Sequence, residues 1–175
     1  EKLARRGLRV LSDLDTDALQ HLTVGEVMDR ALVTLSAEMP LAELARRLTE
    51  PGPDGLSHQA FPLVDGEGRL SGIITRGDVV RALQDPAAAG MLAGDAGAKD
   101  LAVAVPSETV REAVVRMLER NVGRLPVVDP SDPRRLVGYL SRSGILKAYL
   151  RRMEEERILE PPNVGFGRRG KGTGS

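Results

Sequence analysis

Apolar positions along the chain fall into blocks with two different periods. Leu41, Leu44, Ala45 and Leu48 recur at i, i+3, i+4 and i+7, the stripe of an amphipathic helix, and Pro40 suits its first turn. Phe61 to Val64 and Leu70 to Ile74 are short apolar runs separated by Asp65-Gly66 and Gly68. That pattern predicts strand, turn, strand, the second strand ending in β-branched residues. The polar loop Thr75-Arg76-Gly77-Asp78 then opens a helix running to about Gln84. Upstream, Leu32 to Leu35 reads as a short strand and Val24 to Met28 as one helical turn.

The same order returns. Ala102 to Val105 is a second short strand. Thr109 with Glu112 has the spacing of a capping box. Val110, Ala113, Val114, Met117 and Leu118 repeat the helical stripe, which Asn121-Val122-Gly123 ends. Leu125 to Asp129 and Leu136 to Leu140 are again paired strands, and Ser141-Arg142-Ser143-Gly144 again opens a helix. This last helix is longer, with Ile145, Leu146, Tyr149, Leu150 and Met153 on one face and Pro161-Pro162 as its stop. The expected fold class is α/β (α+β), two β-α-β-β-α repeats. Neither repeat has enough apolar surface to stand comfortably alone. Their sheets are therefore expected to pack about a pseudo-twofold axis.

The division that follows has an entry linker at 1–22, a first repeat at 23–84, a connector at 85–97, a second repeat at 98–158 and a tail at 159–175. The entry begins as a basic, helix-like piece that Gly7 would stop, followed by an acidic linker or single turn from Asp13 to His21. The connector is rich in Ala and Gly and reads as flexible. The tail is Gly-rich and basic, with almost nothing to bury, and reads as disordered.

Composition narrows the chemistry. Aromatic residues make up 2% of the chain, so the core must be aliphatic and stacking platforms for single-stranded nucleic acid are nearly ruled out. The 25 basic and 25 acidic residues cancel, leaving no electrostatic case for nucleic acid. Cysteine is absent, which removes disulfides, thiol catalysis and cysteine-ligated zinc. No phosphate-binding loop for hydrolysis and no nucleophile beside a carboxylate pair is visible, so an enzyme is not expected. No apolar run has the length of a membrane span. The chain begins at Glu1 without Met and reads as a piece of something longer.

The repeat resembles the CBS domain, and the tandem resembles a CBS pair, or Bateman module. The resemblance spans about residues 23 to 158. It rests on Val27-Met28 at the opening and on the paired helices Leu41 to Ala45 and Val110 to Val114. Phe61-Pro62-Leu63-Val64-Asp65 matches Leu125-Pro126-Val127-Val128-Asp129. Gly72-Ile73-Ile74-Thr75-Arg76-Gly77-Asp78 matches Gly138-Tyr139-Leu140-Ser141-Arg142-Ser143-Gly144. Lys2 to Leu8, the acidic linker and Leu22 to Met28 also look like the segment joining the last membrane helix of a ClC chloride channel or transporter to its cytoplasmic CBS pair.

The resemblance implies an adenine nucleotide (ATP, ADP or AMP) held between the copies. The family's Gly-x-x-Thr/Ser-x-x-Asp motif falls on Gly72, Thr75 and Asp78. A carboxylate at Asp78 can accept from both ribose hydroxyls, Thr75 can bond sugar or phosphate, Gly77 permits close backbone approach, and Arg76 suits a phosphate. Adenine is expected between Val33, Ala60 and Pro62, with Thr34 beside it and His58 at the rim. Read as residues alone, Thr75 is equally a helix N-cap and Asp78 a first-turn acid that complements the dipole. Pro62 and Pro126 also read as strand positions lacking a ladder partner.

In the second copy Ser141 and Arg142 keep the hydroxyl and the cation, but Gly144 replaces the acid. That cleft is expected to be empty or weak, leaving one nucleotide per chain. The implied role is regulatory: the cytoplasmic part of a ClC-type transporter, acting on its own upstream transmembrane domain, with a homodimer as the assembly. Two alternatives stand beside it, a structural dimerisation module without ligand and a CBS module of a soluble enzyme.

Overall fold

The computed structural model describes residues 16–50 and 59–159. In chain order these form α1 (Thr16–His21), α2 (Val24–Val27), β1 (Leu35–Ser36), α3 (Leu41–Thr49), β2 (Ala60–Val64), β3 (Leu70–Thr75) and α4 (Arg76–Ala82). A 3-10 turn (Ala88–Gly90), α5 (Ala93–Ala96), α6 (Val110–Glu119), β4 (Arg124–Asp129), β5 (Asp132–Ser141) and α7 (Arg142–Leu159) follow. The mixed α/β repeat architecture is the expected one.

In the first copy β1 runs parallel to β2, and β2 pairs antiparallel with β3, with a register shift at Leu63/Val64. In the second copy β4 and β5 pair antiparallel, and the counterpart of β1 shrinks to one parallel bridge between Ala104 and Val127. The strands expected at 32–35 and 102–105 are thus shorter than their apolar runs. Pro62 lies within paired β2 and Pro126 accepts from Ala104 N through its carbonyl at 2.9 Å, so neither strand is idle at its proline.

The reason those strands are short is that the residues before them belong to the other copy. Asp29 and Tyr139 exchange backbone bonds, each N–H to the other's carbonyl at 2.9 Å. Ala98 and Ile73 make the equivalent exchange at 2.8 and 3.0 Å. Val24 N donates to Glu108 O and Val110 N to Leu22 O, both at 2.8 Å, while Ala93 N donates to Met39 O at 2.8 Å and Leu41 N to Met91 O at 2.9 Å. Each copy's opening segment is therefore bonded into its neighbour, in symmetric pairs.

The cores follow the same exchange. Leu19, Leu22, Val24 and Met28 are buried with Val110, Met117, Leu125, Val127, Leu140 and Ile145 of the second copy. Ala93 is buried with Leu41, Leu44, Phe61, Leu63 and Ile74 of the first. Gly72 and Gly138 sit where the exchanged segments cross the strands. A Cβ at Gly72 would lie 3.0 Å from Ala98 O, and one at Gly138 would collide with the Met28 side chain.

Two expectations change. The 85–97 stretch, read as a flexible connector, is an ordered part of the first copy's core, because the 3-10 turn and α5 pack on α3 and Ala93 is buried. Within the entry linker, Thr16–His21 is a helix packed against α6, with Leu19 buried. The helix caps are as expected. Thr109 Oγ1 accepts from Glu112 N at 3.2 Å, and the Glu112 carboxylate accepts from Thr109 N at 2.8 Å. Asn121 takes φ 51°, and Val122 N reaches back to Met117 O at 2.9 Å, closing α6 with an asparagine where glycine is usual. The basic entry piece with Gly7, the Pro161-Pro162 stop and the tail 160–175 lie outside the described residues.

Candidate functional site

Where the segment Asp29 to Val33 crosses from the second copy's sheet to the first, it borders a cleft of about 350 Å³. One wall is apolar: Val27, Leu32, Val33, Ala60 and Pro62. The other comes from the second copy: Arg124, Tyr139, Ser141, Ser143, Gly144 and Lys147. Strand pairing builds this second wall, since Arg124 opens β4 directly opposite Ser141 at the end of β5, which runs into α7.

The polar wall has spare capacity. Ser141 Oγ accepts from Gly144 N at 3.1 Å and lies 3.1 Å from Ser143 Oγ. Asp29, the carboxylate on the crossing segment, accepts from Ala31 N at 2.9 Å. Arg124 is half-buried, and among the described residues neither it nor Lys147 forms an ion pair. The Tyr139 hydroxyl is occluded, with no hydrogen-bond partner among the described residues. Burial pushes its pKa up to about 12, against a smaller downward pull from Arg124.

The residues expected to act together are divided by the structure. Val33, Ala60 and Pro62 line this cleft; Thr75, Arg76, Gly77 and Asp78 do not. Thr34 is exposed and lies off the wall, and His58 lies outside the described residues. The cause is the crossing. The loop after β5 turns towards the first copy's opening, where a Cβ on Gly144 would lie 3.9 Å from Val27 O. The loop expected to hold nothing is therefore the one beside the apolar wall.

The Thr75–Asp78 loop forms a capping box. Asp78 Oδ2 accepts from Thr75 N at 2.8 Å and Thr75 Oγ1 at 2.6 Å, Thr75 Oγ1 accepts from Asp78 N at 3.1 Å, and Arg81 reaches Asp78 Oδ1 at 3.3 Å. A carboxylate has about four acceptor sites, so this network leaves room for a further donor. Arg76 is not the mobile cation its position suggested: Nη1 donates to Leu48 O in the last turn of α3 at 3.0 Å. Arg142 does the same towards Val122 O at 3.2 Å. Arg76 answers an orphan carbonyl at the negative dipole end of α3, whereas Arg142 bonds the segment that follows α6. Gly77 has ordinary room, since a Cβ there would meet only Thr75 Oγ1 at 3.6 Å.

Sequence reasoning missed Arg124, Tyr139, Ser143 and Lys147. The signal was the repeat itself: if openings are exchanged, the loop facing Val33 has to be the other copy's.

The model of the CBS domain family matches residues 24–85 and again residues 93–151. The chain belongs to the CBS domain family. In this CBS pair the two matches begin at α2 and α5, the short helices that each copy lends to the other. Inosine-5'-monophosphate dehydrogenase of Methanocaldococcus jannaschii is 33% identical over 122 residues, covering 70% of this chain and 22% of that enzyme. The curated relatives are matched over only 22% to 47% of their own length. Among solved structures, CBSX2 in complex with AMP aligns with a TM-score of 0.64 at 24% identity, covering 75% of this chain and 98% of that one. The cytosolic domain of the Mg²⁺ channel MgtE in complex with ATP aligns with a TM-score of 0.59 at 23% identity, covering 75% and 50%. Both likenesses bear on the fold.

Proposed function

We propose that this CBS pair is a regulatory module that binds an adenine nucleotide between its copies and transmits occupancy to an attached domain. The observation that carries the reading is the cleft beside the crossing segment, with an apolar wall on one side and the uncompensated Arg124 on the other. Adenine fits between Val33, Ala60 and Pro62, and a phosphate fits near Arg124 and Lys147. The Thr75–Asp78 loop serves the symmetry-related cleft, where Leu101 and Ala102 take the places of Leu32 and Val33 and Asp78 accepts the ribose hydroxyls.

Regulation requires that the nucleotide prefer one arrangement of the copies over another. The crossing segment offers that link, because it borders the cleft and runs back through α2 to α1. The attached domain is, in this reading, a ClC-type transport domain, which makes the pair its cytoplasmic part. Residues 2–8 support this, as does the likeness to the cytosolic domain of a Mg²⁺ channel in complex with ATP. The relationship to the dehydrogenase supports the soluble-enzyme alternative. No helix of the described residues is long and apolar enough to cross a membrane, so the sequence preceding Glu1 discriminates. A run of about 20 apolar residues there supports the transport parent.

The central test is calorimetry and thermal unfolding with ATP, ADP and AMP. At 100 times Kd a ligand specific for the folded chain adds about 2.7 kcal/mol. At least one nucleotide should produce such a shift, and Asp78→Ala should weaken the component owed to the Thr75–Asp78 cleft. A chain indifferent to all three overturns the nucleotide reading.

A further inference from the structure

The two loops that open α4 and α7 hold corresponding places in the repeat but present opposite chemistry. Asp78 puts a carboxylate into the first turn of α4, where it closes a box with Thr75. Its counterpart Gly144 leaves Ser141 capping a backbone N–H alone. The cleft beside that second loop is the one that also contains Arg124, half-buried and without a carboxylate partner among the described residues, and Lys147, which is exposed on α7. The Tyr139 hydroxyl, occluded and unsatisfied, is a further group on the same wall. The one carboxylate among the cleft's lining residues, Asp29, lies on the opposite, crossing segment, where it accepts one bond, from Ala31 N at 2.9 Å.

A carboxylate in the position of Asp78 attracts a sugar diol and repels a phosphate. Its absence beside two unpaired cations does the reverse. A partly buried guanidinium without a counter-charge also bears a desolvation cost that an incoming phosphate would offset through short, charge-assisted bonds. We propose, building on the nucleotide reading above, that this cleft selects its ligand by an anionic phosphate held by Arg124 and Lys147, and that it does not require a ribose cis-diol. Its ligand class is then adenine nucleoside phosphates irrespective of their 2' and 3' substituents, deoxy and 3'-phosphorylated forms included. The Asp78 cleft, by contrast, requires the free diol.

The test is calorimetry on the full chain carrying Asp78→Asn, which keeps an oxygen for the Thr75 N–H while weakening the diol-reading cleft. AMP, 2',3'-dideoxyadenosine 5'-monophosphate and adenosine are titrated in turn, with circular dichroism confirming the fold. The dideoxy nucleotide should bind within about threefold of AMP, and adenosine at least about tenfold more weakly. Adding Arg124→Met should reduce the preference for AMP over adenosine, and adding Lys147→Met as well should erase it. Adding Gly144→Asp instead should create a preference for AMP over its dideoxy form.

A loss of about tenfold or more on removing the diol, or a phosphate preference that survives Arg124→Met combined with Lys147→Met, overturns the inference while leaving a nucleotide site in place. If neither the unsubstituted chain nor the variant binds any of these compounds, the underlying nucleotide reading falls and this inference with it.

Discussion

Tyr139 sits in β5 with both backbone groups bonded to Asp29 and its hydroxyl bonded to nothing among the described residues. A buried hydroxyl without a partner bears its full desolvation cost, so its removal should not weaken the fold. Tyr139→Phe is expected to leave stability unchanged or raise it by up to about 1 kcal/mol in urea unfolding. A loss larger than that would mean the hydroxyl is satisfied in solution. The pH dependence follows with a definite sign. Burial holds the folded pKa at about 12, whereas an unfolded tyrosine ionises near 10. The contribution is therefore complete below about pH 10 and is lost as pH rises from there towards 12, a decline the Phe variant should lack. The sequence disclosed Thr75 and Asp78 because their types match a motif. Tyr139 and Arg124 escaped because nothing in their local sequence marks them. Their significance depends on which segment lies opposite, and that is a tertiary fact.

Among the elements, helices and hairpins were legible because each follows a local rule: the stripe from Leu41 to Leu48, the Thr109–Glu112 box, the turn at Asp65-Gly66. What was not legible is which copy each opening segment joins, since α2 and α5 look alike whether they pack on their own repeat or the next. The exchange has a measurable consequence. Burying Leu19, Leu22, Val24 and Met28 in the second copy stabilises it by about 1.5–3 kcal/mol for each large side chain, and a domain's whole stability is only about 5–15 kcal/mol. A fragment of residues 85–175 alone should thus show no cooperative thermal transition. Mixing it with residues 1–84 should restore one at equimolar ratio, with native-like circular dichroism. Independent melting of the two fragments would contradict the exchanged core.

For the whole molecule, five of the nine exposed large apolar residues among those described lie on or next to the helices that follow each hairpin, Val80 and Leu83 with α4 and Leu146, Leu150 and Met153 on α7; the others are Val33, Leu92, Val115 and Leu118. In the homodimer expected from the sequence, these faces would be the surface for the second copy. Leu150 is 54% exposed, so replacing it should cost little inside the monomer. Leu150→Asp is expected to convert a dimer to a monomer by light scattering while changing the unfolding midpoint of the monomer by no more than about 2 °C. A variant that remains dimeric would exclude α7 from the interface.

The packing of α1 has a mechanical meaning for the assembled protein. The first element among the described residues, α1, is seated on α6 of the second repeat and not on the strands that follow it in the chain. α1 thus sits on the second repeat, and the segment Asp29 to Val33, which borders the cleft, is one of the links that carry its position to the first, beside the Ala98–Ile73 and Ala93–Met39 bonds. A nucleotide bound there as proposed would grip that span and act as a clutch, setting whether the two halves turn together or slip.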